Sequence, residues 1–184
     1  MYLRTIARKA SISLAVTVFF SFAATAQHAK DERVINDSKR AKEEFVQTDP
    51  LMKSLFDNSY GYVLFPNVGK GAIGIGGAIG NGIVFEKGQM IGAAKLKQLS
   101  VGFQLGGQAY RQVIFFEDEA ALQRFKENNF EFAAQASAVA VTKGASANIK
   151  YRDGVMVFSQ QKGGLMYEAS IGGQKFDYAS FSEE

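Results

Sequence analysis

The sequence predicts an α+β domain dominated by antiparallel strands, arranged as a strongly curved or barrel-like sheet with N-terminal helices and one internal helix. Three observations predict it. Residues 61–107 hold thirteen of the nineteen glycines, set among β-branched and aromatic residues. A second strand-rich stretch runs from Phe130 to Tyr178 and is cut by turn pairs such as Asp153-Gly154. Helical periodicity is confined to 31–57 and 117–126. Glycine loses more backbone entropy than any other residue and packs no side chain, so a sheet that keeps so many needs close backbone approach or sharp bending.

The first 26 residues read as a signal peptide. Arg4, Arg8 and Lys9 precede an apolar run from Ser11 to Phe22, and Ala24-Thr25-Ala26 offers small residues for cleavage before Gln27. The run falls short of the roughly 20 apolar residues a membrane-spanning helix needs. The expectation is export to the periplasm or outer membrane, or secretion, with 27–184 as one domain. The chain has no cysteine, hence neither a cysteine-linked lipid anchor nor a disulfide. Of 21 Lys and Arg three lie in the leading segment, so the remainder balances the 18 Asp and Glu. The formal charge of +3 therefore gives no support to a nucleic-acid partner.

Within 31–57, Val34, Ser38, Ala41 and Phe45 recur on one helical face, with Lys39, Arg40, Glu43 and Glu44 opposite. Thr48-Asp49-Pro50 stops this helix and starts a second, whose apolar side is Leu51, Met52, Leu55 and Phe56. Both are expected to pack on the sheet. Lying on a membrane is the alternative, weakened by acids mixed with bases on the polar face.

In the glycine-rich stretch, Pro66-Asn67, Asn81-Gly82 and Lys87-Gly88 read as turn punctuation between strands. Ala72, Gly74, Gly76 and Ala78 alternate with Ile73, Ile75 and Ile79, leaving one side of the strand nearly bare. A helix, another strand or a lipid chain is expected against it. Lys70, Lys87, Lys95, Lys97 and Arg111 face only Glu86 in charge between Tyr60 and Phe116, so this half is locally basic.

Gln108 to Phe116 reads as a strand. Glu117-Asp118-Glu119 then opens a helix with Ala121, Leu122 and Phe125 on its inner face, the acids lying where a helix start favours negative charge. Residues 130–141, 146–151, 154–160, 164–171 and 175–181 read as further strands, with Asp153-Gly154 the clearest hairpin signal.

Candidate chemistry is mostly excluded. Gly69 to Gly74 spells GxGxxG, but no helix pattern and no suitable acid follow, so a dinucleotide site is rejected. The single His28 lies outside the domain body, which removes a base for a nucleophilic triad and, with no cysteine, removes a zinc site. Glu86 and Glu168 are formally available as paired carboxylates, yet surface placement accounts for both. A non-enzyme without a cofactor is expected. Asn67 to Gly71 is a turn able to present backbone N–H groups, with Lys70 adding a point charge toward a phosphate. Phe65, Phe85, Phe103 and Tyr110 are either core or an acyl-accepting surface. A transmembrane barrel fits poorly, because Ala72 to Ile79 lacks the polar alternation of barrel strands.

The run GYVLFPNVGKGAIGIGGAIGNGIVFEKG, with GGQAYRQVIFFEDEAALQRF, FEFAAQASAVAV and GGLMYEASIGGQKF downstream, resembles the SYLF domain family from about Asp49 to Tyr178. That resemblance implies a lipid-binding module, often for phosphoinositides, which in some members also binds and bundles actin. On it rests the expectation of a lipid or membrane surface as partner, met through Asn67, Gly69, Lys70, Gly71, Lys87, Lys95 and Lys97. A protein partner of actin type is the alternative.

Overall fold

The N-terminal periodicity becomes two helices, α1 over 32–48 and α2 over Met52–Asn58. The computed structural model describes residues 32–73, 75–100, 108–128, 130–133, 136–162 and 168–181, with the backbone alone at 70–73, 75–76, 99–100, 108 and 168–170. The predicted signal peptide and Phe103 lie outside these residues. The described residues from 35 onward belong to one compact unit.

Asp49 explains the break between the helices. Its carboxylate accepts from Leu51 N at 3.2 Å and its carbonyl from Met52 N at 3.0 Å, the local turn that launches α2. Its other oxygen accepts from both the backbone N–H and the hydroxyl of Ser146, at 2.8 and 2.7 Å. Burial pushes this carboxyl up. The Ser146 hydroxyl and the amides of Ser146, Leu51 and Gly144 outweigh that and hold it below the usual carboxylate value.

Eight strands form one sheet: β1 (Gly61–Ile73), β2 (Ile75–Glu86), β3 (Gln89–Ser100), β4 (Gln108–Phe116), β5 (Ser137–Ala140), β6 (Val155–Gln161), β7 (Glu168–Ser170) and β8 (Gln174–Ser180). Their order is β7-β5-β6-β4-β1-β2-β3-β8. All neighbours are antiparallel except β5 and β6. The internal helix α3 (Glu119–Lys126) starts where its acids predict, with the Asp118 carboxylate accepting from Ala121 N at 2.8 Å.

Several sequence expectations are corrected. Pro66-Asn67 and the turn expected from Asn67 to Gly71 lie within β1, where the pairing with β4 only shifts register between Phe65 and Val68. Of the strand expected over 130–141, the described residues form only Ser137–Ala140 and a single bridge from Glu131 to Lys175. Asn81-Gly82 is no turn but the middle of β2, with Asn81 opposite Asn67 on one side and Lys95 on the other. Residues 146–151 form no strand. Ser146 gives its N–H to Asp49, residues 143–148 turn, and Ile149 and Tyr151 pack against the helix-side core. Asp153-Gly154 does turn, with φ of 51° and 77°, but closes only the single bridge between Arg152 and Val155. Lys87-Gly88, at φ 49° and 81°, closes the β2–β3 hairpin as its sequence predicts.

The sheet curls strongly. Phe65 on β1 and Phe176 on β8 lie three strand spacings apart in pairing order, about 14 Å in a flat sheet, yet their ring centroids are 5.7 Å apart. The pairing order nevertheless ends at β7 and β8, which do not pair with each other, so the curved sheet is open and the barrel-like alternative is not realised. The concave face holds α3 (Ala121, Leu122, Phe125) with Phe65, Phe116, Phe132 and Phe176. On the convex face, α1 and α2 press Ala41, Phe45, Met52 and Phe56 onto Tyr62, Leu64, Val113, Phe115 and Phe158.

The bare side of β2 faces inward. Ala78 is buried in the concave core, while bulky Ile79 is 71% exposed, the reverse of a simple amphipathic strand. Tight curvature leaves little room on the concave side, and neighbours fill it: a Cβ on Gly82 would stand 2.7 Å from both the Leu64 carbonyl and the Phe65 ring. Another strand and its aromatic ring occupy that position, while what lies against Ala72, Gly74 and Gly76 falls outside the described residues.

Candidate functional site

The convex face divides in two. Under α1 and α2 it is buried, whereas across β2, β3 and β8 no described element covers it between Ile79 and Asn81, Lys95 and Lys97, and Lys175 and Asp177. Residues directly opposite in a ladder share a face. The pairs Gly69–Ile79, Ile79–Lys97 and Lys97–Lys175 therefore line up across four strands, as do Asn67–Asn81, Asn81–Lys95 and Lys95–Asp177. The result is a strip of Gly69, Ile79, Lys97 and Lys175 beside a strip of Asn67, Asn81, Lys95 and Asp177. Lys97 pairs with Asp177 at 2.5 Å and Lys175 with Glu131 at 3.3 Å, both exposed, while Lys95 makes no ion pair among the described residues. Exposed pairs of this kind are worth little and open readily to a competing anion.

A second cluster lies where α1 meets the ends of β1, β4 and β6. A cavity of about 210 Å³ is lined by Asp37, Arg40 and Glu44 of α1, Arg111 of β4 and Lys162 just past β6. Arg111 sits on the convex face opposite Gln160, whose Oε1 accepts from its Nη1 at 2.9 Å. Its Nη2 pairs with Glu44. Its Nε is buried without a hydrogen-bond partner, and the whole residue is only 8% exposed. The Lys162 ammonium donates to Asn67 Oδ1, and Asn67 donates in turn to Asp37 at 3.0 Å. Burial, reinforced by the charge of Arg111, holds the Lys162 ammonium below the ordinary lysine value.

The residues predicted from sequence are not gathered in one place. Asn67, Gly69, Lys95 and Lys97 share the uncovered convex face, and Asn67 also touches the cavity. Lys70 and Gly71 hold ladder positions opposite Ala78 and Gly77, the Lys70 side chain lying outside what the structure describes. Lys87 sits at the β2–β3 turn, 4.9 Å above the Tyr60 ring, apart from the others. Phe65 and Tyr110 are buried and Phe85 stacks on Tyr62 at 4.6 Å, so the acyl-accepting reading of these aromatics gives way to core. Sequence reasoning missed Lys175, Arg111 and Lys162. The signal for Arg111 was present: a lone charge within the apolar strand QAYRQVIFF, on the parity of Val113 and Phe115.

Residues 97–179 match the family model Ysc84, described as "Las17-binding protein actin regulator". The chain belongs to the Ysc84 (SYLF) family. The matched range runs from the end of β3 through β8, so it contains Lys97, Arg111, Lys162 and Lys175, while α1, Asn67 and Gly69 precede it. This SYLF chain is also similar to "Beta cell expansion factor A" of Aeromonas veronii, at 31% identity over 134 residues, 69% of this chain and 49% of that protein. It thus spans about half the length of that relative.

Proposed function

We propose that this chain is a non-enzymatic lipid-binding protein of the bacterial envelope. Residues 1–26 direct its export to the periplasm or outer membrane. There the uncovered convex face lies against anionic phospholipid or phosphoinositide-like headgroups. The observation that carries this reading is the alignment of Lys97 and Lys175 with the exposed Ile79, and of Lys95 beside them, on a sheet face with no described layer over it. Each lysine near an anionic bilayer is worth about 1 kcal/mol, and Asp177 and Glu131 offset part of what Lys97 and Lys175 contribute, so the face supplies roughly a several-fold preference. Ile79 offers an apolar side chain to the boundary between headgroups and acyl chains, and Gly69 lets that surface approach the backbone.

Flotation of the full chain with vesicles of phosphatidylglycerol in phosphatidylcholine, and with phosphatidylcholine alone, tests it. Binding to the anionic vesicles that falls with added salt is expected. Failure to float with either sinks the reading. The family description favours a second reading, an actin-binding or other protein-interaction module. Co-sedimentation with actin filaments, without vesicle binding, would select it.

A further inference from the structure

We propose that the cavity beneath α1 is a binding site for a phosphate monoester, held by Arg111, Lys162 and Arg40. The site is distinct from the convex lysine face and does not depend on that face meeting a membrane.

The inference starts from the unfinished fork of Arg111. A guanidinium presents Nε–H and one Nη2–H side by side, a pair that matches two oxygens of a phosphate. Here Glu44 takes Nη2 alone and Nε is buried with no acceptor. A buried orphan donor is unfavourable, and the residue that carries it, Arg111, lines a cavity of about 210 Å³ with room for an anion.

The charges around it are unequal. Arg40, Arg111 and Lys162 bring three positive charges against two from Asp37 and Glu44. Lys162 meets only the neutral amide of Asn67, and it forms no ion pair among the described residues. Asp37 stays, paired with Arg40 and accepting from Asn67, whereas Glu44 is free to leave Arg111. The Glu44 side chain is 45% exposed and swings to solvent from the α1 surface, whereas the Arg111 side chain, at 10%, is held by Gln160 and the strand. A phosphate monoester carries up to two negative charges near neutral pH. Entering the cavity, it replaces Glu44 on Nη2, satisfies Nε, and draws Lys162 and Arg40 as further donors. Glu44 is then a resident competitor for the anion.

A phosphorylated metabolite and a phosphomonoester lipid headgroup share this chemistry, and the test separates them. The full chain is titrated calorimetrically with glycerol 3-phosphate, and is floated with vesicles of phosphatidic acid in phosphatidylcholine. Saturable binding of glycerol 3-phosphate is expected. It should weaken about tenfold or more in Arg111→Lys and Lys162→Gln, each of which removes a charge-assisted hydrogen bond. Glu44→Gln should tighten it several-fold, a gain that a merely structural role would not produce, and Lys53→Gln on exposed α2 should leave it unchanged. Vesicle binding that also rises in Glu44→Gln assigns a lipid phosphate. Binding of the soluble ester alone assigns a metabolite. Absence of saturable binding in both the native chain and Glu44→Gln overturns the proposal, as does an equal loss in Lys53→Gln. If Arg111→Lys fails to fold, the exposed Lys162 and half-exposed Glu44 still decide the matter.

Discussion

Gln112 on β4 donates to Gln174 on β8 at 2.8 Å, although four strand spacings, about 19 Å in a flat sheet, separate their strands in pairing order. Both side chains are fully buried. The Gln174 amide N–H₂ also faces Gln112 Oε1, the Tyr110 hydroxyl and Gln98 Oε1 at 3.2 to 3.4 Å, and Gln98 donates to the Gly172 carbonyl at 3.0 Å. Polar side chains converge here because the curled sheet brings β8 over against β4, and each finds its partner on a strand distant in the order.

That network yields the first prediction. Gln174→Leu leaves Gln112 and Tyr110 with buried unpaired groups and should lower stability by about 2–4 kcal/mol. Adding Gln112→Leu should recover part of the loss, since an apolar pair needs no acceptor. Urea unfolding measures both, and an unchanged midpoint in the single variant would refute the role. Burial pushes the Tyr110 hydroxyl up to about 12, with the Gln174 hydrogen bond opposing it, so in the native chain this tyrosine stays protonated until pH approaches 12 in an ultraviolet titration.

Two glycines of the same stretch should respond oppositely. Gly82→Ala drives a Cβ against the Leu64 carbonyl and the Phe65 ring, both at 2.7 Å, and should cost about 1–3 kcal/mol through forced repacking. At Gly69 nothing lies within 4 Å, so Gly69→Ala should be neutral or stabilise by up to about 1 kcal/mol. Thermal melts of the two variants, followed by circular dichroism, should fall on opposite sides of the parent or with Gly69→Ala level with it.

Asp49 sets a pH dependence. Its folded value lies below the ordinary carboxylate value of about 3.9 expected in the unfolded chain. Its contribution is therefore complete above about pH 5 and is lost as pH falls through the folded value. Asp49→Asn should lower the melting temperature at neutral pH, and the gap to the parent should narrow below about pH 4. A gap that is constant from pH 7 to pH 3 would contradict the assignment.

On the convex face, Lys95→Glu with Lys97→Glu should reduce binding to anionic vesicles by roughly tenfold or more. Asp177→Asn, which frees Lys97 from its ion pair, should increase it. Flotation across a series of salt concentrations reads both effects, and unchanged affinity in the double variant would remove these lysines from the surface.

Legibility from sequence followed the range of the interaction. Asp118 announces α3 because its carboxylate bonds an N–H three residues on, a contact written within one turn. Lys87-Gly88 announces a hairpin because two positive φ angles suffice to reverse the chain. Asn81-Gly82 carries similar turn chemistry and is straight, because β1 and β3 pair along both sides of it and outweigh the local preference. Residues 146–151 alternate like a strand, yet Ser146 is claimed by Asp49, 97 residues away. Lys95 and Lys97 were legible as part of a locally basic half, but not that they share an uncovered face with Lys175. Arg111 stood out as an odd charge, but that Glu44, Lys162 and Asn67 would meet around it was not readable from their spacing.

Alone, the sequence determined the α+β class, the helix ends, the turns at Lys87-Gly88 and Asp153-Gly154 and the glycine-driven need for bending, because caps, periodicity and left-handed turns act within a few residues. Tertiary structure decided how far the sheet curls without closing, which half of its convex face α1 and α2 cover, and that a buried arginine is left one acceptor short. Those outcomes depend on contacts between residues such as Gln112 and Gln174, 62 positions apart, whose energy depends on what surrounds them once the chain has folded.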